Sequence, residues 1–134
     1  MTNKHLLLII AILFSFQFYA CKKDREADTT KPLITVVEPL SGDTLSMTAS
    51  PEVHVEFTVT DESELASLSV LLIKNNSDTL MNDLPSVHGL KVYAFHEHVI
   101  PAGIAALTPM KAIILASDHS GNTESKTINF FIEP

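Results

Sequence analysis

The sequence predicts an all-β protein, an antiparallel sandwich of about seven short strands, and three observations carry that expectation. From residue 31 onward apolar side chains recur with period two, and clusters of Gly, Pro, Asn, Asp and Ser punctuate them. No stretch shows a 3.6-residue apolar period with caps. The first strand is expected over residues 33–37 and is ended by Glu38-Pro39. Over 53–60, Val53, Val55, Phe57 and Val59 alternate with His54, Glu56, Thr58 and Thr60, the mark of a strand with one face buried and one wet. Over 67–73, Leu68, Val70 and Leu72 share one face. Further strands are expected over 78–81, 91–100, 110–117 and 126–132. The turns between them are Ser41-Gly42-Asp43, Lys74-Asn75-Asn76-Ser77, His88-Gly89, Pro101-Ala102-Gly103 and Ser120-Gly121-Asn122. Residues 104–107 offer at most one turn; Ile104, Ala105, Ala106 and Leu107 are expected to fold under the open end of the sandwich, or else to meet a partner.

The chain divides into a leader over 1–20, a tether over 21–31 and the sandwich over 32–134. Lys4 and His5 precede an apolar run from Leu6 to Phe18 that is too short to span a bilayer, the pattern of a secretory signal peptide. Tyr19-Ala20-Cys21 resembles a bacterial lipobox, which implies that Cys21, the one cysteine, becomes the lipidated first residue of the mature chain. Residues 22–31 carry charges and no large apolar side chain, so they have nothing to bury and are expected to be a flexible tether. The Lys22-Lys23-Asp24-Arg25-Glu26 stretch resembles the charged cysteine-proximal segment of Bacteroidetes-type lipoproteins. That resemblance, with Lys22 standing where an inner-membrane retention aspartate would, implies the outer membrane or cell surface. Loss of Lys4 with the leader leaves eight Lys and Arg against sixteen Asp and Glu, a balance that disfavours nucleic acid and anionic lipid surfaces.

Three segments resemble bacterial immunoglobulin-like domains: Lys31-Pro32-Leu33-Ile34, Val59-Thr60-Asp61 with Leu65 and Leu68, and Ala116-Ser117-Asp118-His119-Ser120-Gly121-Asn122. With Phe95-His96-Glu97-His98-Val99-Ile100-Pro101, the chain resembles Bacteroidetes lipoproteins that carry one such domain. The resemblance implies an immunoglobulin-like sandwich. The mature chain has no Trp and no cysteine pair, so the antibody-type core pin does not carry over.

The chemistry expected of this sequence is binding. Asp118, His119 and Ser120 are the residue types of a hydrolytic triad, but neighbours on one turn cannot act in series. No Gly-rich phosphate loop and no His-Glu-x-x-His pattern occurs, so no enzyme is expected. His96 and His98, two apart on a strand, project from one face and could share a transition metal. Further donors would have to come from His54, His88, Glu56 or His119, and otherwise the pair is simply solvated. Sandwich topology gathers the loop after the second expected strand with the loop before the last, placing Asp61, Glu62 and Glu64 near Asp118 and Asn122 as a candidate Ca²⁺ site. The alternative is that these aspartates only close their own turns. Asp43-Thr44-Leu45 and Asp78-Thr79-Leu80 resemble the acceptor motif of Bacteroidetes O-glycosylation, which implies Thr44 and Thr79 as acceptors, with Asp28-Thr29-Thr30 a weaker third. A polar turn entering a strand is the alternative. Glycan binding is disfavoured, because Tyr93 and a few phenylalanines assigned to the core supply no aromatic platform. The expected function is therefore a lipid-anchored envelope module that contacts an envelope protein, with Ca²⁺ or metal binding and then glycan binding as alternatives.

Overall fold

The alternating pattern becomes eight strands in the computed structural model, which describes residues 28–134. The expected leader over 1–20, Cys21 and residues 22–27 lie outside the described residues. The strands are β1 (Leu33–Glu38), β2 (Thr44–Ser46), β3 (Val53–Thr60), β4 (Leu65–Lys74), β5 (Asp78–Asp83), β6 (Val92–Val99), β7 (Thr108–Asp118) and β8 (Thr123–Glu133). They form two sheets, ordered β1-β3-β6 and β2-β8-β7-β4-β5. Among the described residues there is no helix.

Period-two burial places the core between the sheets. Val53, Val55, Phe57 and Val59 point inward from β3, with Phe95 opposite Phe57 and their rings stacked at 4.9 Å. The second sheet answers with Leu65, Leu68, Val70 and Leu72 from β4, Ala112, Ile114 and Ala116 from β7, and Ile128, Phe130 and Ile132 from β8. Val87, on the connection before β6, closes the core and is 1 % exposed. Its segment is tied down where Gly89 N–H donates to Leu65 O and Leu65 N–H to Leu90 O.

Three expectations about the strands and the tether need correction. The pairing of β2 with β8 is parallel, so the sandwich is not wholly antiparallel. Only three residues long, β2 is too short to show a period, and its place depends on Gly42 N–H donating to Asn129 O and Met47 N–H to Glu133 O. The tether does not run free to Lys31. Asn122 Nδ2 donates to Asp28 O at 3.0 Å and Lys31 pairs with Glu124 at 3.9 Å, so 28–31 lie against the sandwich. Phe131, assigned to the core with the other phenylalanines, is 38 % exposed because it falls on the outer phase of β8, next to buried Phe130 and Ile132.

Residues 104–107 divide. Ile104 packs against the core, whereas Leu107 is 58 % exposed and does not plug the open end. Replacing Leu107 with Asp should therefore change stability by no more than about 0.5 kcal/mol, as surface substitutions do. Thermal unfolding checks this: a transition within a few degrees of the parent is expected, and loss of folding would mean that Leu107 is buried in solution.

Register defines two ends. Leu33, Thr60 and Val92 meet at the end where the chain enters, together with Leu65 and Asp118 of the second sheet. Glu38, Val53 and Val99 lie at the far end, as do Lys74, Asp78 and Met110. Thr44 and Thr79 are both exposed, on the two edge strands of the larger sheet, toward that far end.

Candidate functional sites at the two ends

At the entry end three carboxylates converge. Asp28, Asp61 and Asp118 each offer an oxygen, and the three oxygens lie within 4.8 Å of one another. Each aspartate is positioned by a different part of the chain. Asp118 ends β7, and both of its oxygens accept from Asn122, from the backbone N–H at 2.8 Å and from Nδ2 at 2.7 Å. Asp61 follows β3, where its Oδ1 accepts from Ser63 N–H at 2.9 Å and Ser63 Oγ at 2.6 Å. Asp28 precedes β1, and its Oδ1 accepts from Thr30 N–H at 2.9 Å. These bonds are the turn-closing role expected of aspartates at strand ends.

Turn closure does not use every oxygen. Oδ2 of Asp61 and Oδ2 of Asp28 are buried and have no hydrogen-bond partner. Asp61 as a whole is 7 % exposed and Asp118 is 3 % exposed. A buried carboxylate oxygen without a donor is costly unless a cation or a proton meets it.

The charge states follow from the surroundings. Burial pushes the Asp118 carboxyl up, but hydrogen bonds from Asn122 and from the Ser120 backbone outweigh it, and the carboxyl is held below its ordinary value. Asp28, next to it, pushes in the opposite direction. Asp28 is held low as well, with the Thr30 amide donating to its Oδ1. Ser63 has one hydroxyl proton, and it is already committed to Asp61 at 2.6 Å, so Asp28 Oδ2 gains no donor from it. Asp28 and Asp118 are therefore ionised, and their oxygens lie close to one from Asp61. Oxygen-only donors of this kind suit Ca²⁺, which takes six to eight oxygens and would complete its shell with carbonyls and water.

The structure brings together only part of the expected set. Asp61, Asp118 and Asn122 meet as the topology implied. Glu62 and Glu64 do not; both side chains are exposed and outside the cluster. Their part is played by backbone: Glu62 O accepts from Lys91 Nζ, and Glu64 O accepts from His119 N–H. Asn122 is a brace, since its Nδ2 joins Asp118 to the Asp28 carbonyl. Asp28 was missed because it stands in a polar stretch whose composition reads as tether. The signal that could have found it is Asp28-Thr29-Thr30, a turn motif directly before the first strand. His119 stacks edge-on against His88 at 4.5 Å, and Asp118 is engaged by Asn122, so Asp118, His119 and Ser120 form no relay.

Toward the far end the outer face of β3 and β6 carries histidines. His54 is directly opposite His98, and His96 is opposite Glu56. His96 and His98 are exposed, on the wet face of β6, while Phe95 on its inner face is 3 % exposed. Beside them opens a cavity of about 350 Å³ lined in part by Glu38, Pro39, Ser46, Glu52 and His54. The pair expected from sequence thus gains His54, one of the donors proposed for it, through strand register.

No curated protein matches the chain. A family model does, over residues 19–113, a span that holds Asp28, Asp61 and all three clustered histidines and ends within β7, before Asp118. The match covers most of the 134 residues, and the chain belongs to the family described as Domain of unknown function (DUF4625).

Proposed function

We propose that this chain is a non-catalytic, extracytoplasmic module, anchored through lipid on Cys21 at the outer membrane or cell surface, whose entry end is clamped by Ca²⁺. The immunoglobulin-like part of this reading is supported by the strand order β1-β3-β6 against β2-β8-β7-β4-β5, and the Bacteroidetes-type lipoprotein part rests on the sequence around Cys21. The observation that carries the Ca²⁺ reading is Asp61 Oδ2, buried without a donor in a cluster of three carboxylates.

The clamp has a mechanical consequence. Asp28 stands on the segment that leads into β1, so an ion shared by Asp28, Asp61 and Asp118 joins the incoming chain to the ends of β3 and β7. A tether fixed at that point holds the module in one orientation. The far end, with its histidine face, then points away from the membrane, available to an envelope protein partner.

Thermal unfolding in Ca²⁺ against a chelator tests this. A ligand that binds only the folded state stabilises it by mass action, and at a hundredfold excess over Kd the melting temperature of a domain this size rises by on the order of 10 °C. Asp61→Asn should abolish the rise. An unchanged transition at millimolar Ca²⁺ would reduce the three aspartates to turn formers.

A further inference from the structure

We propose that His54, His96 and His98 form a Zn²⁺ site on the outer face of β3 and β6, with the fourth coordination position left to water. Each histidine offers a ring nitrogen within 4.8 Å of the other two. Nε2 of His96 and Nε2 of His98 are 2.9 Å apart, and the His54 and His98 ring centroids are 4.1 Å apart. Two tetrahedral nitrogen ligands at about 2.0–2.1 Å from zinc stand roughly 3.3 Å from each other. The His96 and His98 nitrogens therefore need to part by only a few tenths of an ångström to admit the ion, with His54 alongside them.

The carboxylates around the cluster complete the arrangement. His98 Nδ1 lies 3.0 Å from Glu52 Oε1, and His54 Nδ1 lies 3.2 Å from Glu38 Oε1. In a neutral ring each of these bonds holds the proton on Nδ1 and leaves the lone pair on Nε2, the state that ligates a metal. A carboxylate behind a histidine is the usual support of a zinc ligand, fixing both tautomer and ring orientation. His54 adds a second observation. Its Nε2 is 3.2 Å from Glu52 Oε1 and its Nδ1 is 3.2 Å from Glu38 Oε1, so a zinc ion on Nε2 takes the place that a proton holds in the doubly paired imidazolium. Imidazole donors select a transition ion over Ca²⁺, and this site lies toward the opposite end of the sandwich from the aspartates.

The test uses the full chain carrying Cys21→Ser, which needs no detergent once the lipid is gone, in saturating Ca²⁺ so that the aspartates are occupied. Calorimetric titration with ZnCl₂ should show one ion per chain with micromolar or tighter affinity. His96→Asn and His98→Asn should each abolish that binding while the melting temperature without zinc stays that of the parent, since both side chains are exposed. Glu52→Gln should weaken it by about 10–100-fold, the usual effect of removing a carboxylate behind a ligating histidine. Asp61→Asn should leave it unchanged. Absence of zinc binding in the parent, or binding that survives both histidine substitutions, would overturn the site.

Discussion

Phe57→Ala should lower the stability of the sandwich by about 3–5 kcal/mol, the range for deleting a buried phenylalanine side chain. Phe57 is 1 % exposed, it points inward from the central strand of the smaller sheet, and its ring stacks on Phe95 at 4.9 Å. Removing it takes away the apolar contact and also leaves a cavity, because neighbours on β3 and the facing sheet are held by their ladders and relax only in part. Small domains have about 5–15 kcal/mol in total, so the change consumes a large share. In thermal unfolding the midpoint should fall by roughly 15–30 °C. A fall of only a few degrees would mean that the two sheets do not pack face to face through this residue.

That core was legible in the sequence because burial in a half-wet strand follows a local rule. Val53 to Thr60 alternates without a break, and every inward residue of β3 is buried as the alternation requires. What was not legible depends on contacts between residues far apart in the chain. Thr44–Ser46 is a strand only because Phe131 to Glu133 of β8 lies beside it. Asp28 sits in a run with no large apolar side chain, and what binds it is Asn122, ninety-four residues away. Glu62 and Glu64 are neighbours of Asp61 in sequence, but the turn closed by Asp61 and Ser63 leaves both exposed. His54 joins His98 through the register of β3 on β6, which the spacing of His96 and His98 does not contain.

Cys21→Ser should release the protein from the membrane fraction. Acyl chains are the one means of attachment in the proposed arrangement, and oxygen in place of the thiol sulfur removes the site where the thioether forms. Several chains hold a protein firmly where one would hold it only marginally, so the change is from stable anchoring to none. Among the described residues no helix is long and apolar enough to cross a membrane. Fractionation after a carbonate wash reads the outcome. The variant should be found in the soluble fraction with its thermal transition unchanged, since Cys21 precedes every strand. Retention in the membrane pellet would sink the lipid-anchor proposal, leaving the sandwich and its two clusters untouched.

In the proposed arrangement Asp28, Asp61 and Asp118 together hold one calcium ion. In its absence the buried oxygen of Asp61 has no partner, so Asp61→Asn, which keeps the Oδ1 acceptor for Ser63 and removes a charge, should not destabilise the chelated protein. Calorimetric titration of the full chain with CaCl₂, alongside Asp61→Asn and Asp118→Asn, measures the ion directly. One Ca²⁺ per chain at submillimolar Kd, absent in both variants, is the predicted result. Titrations of the parent that show no saturable heat up to millimolar Ca²⁺, or binding that both variants retain, would contradict it.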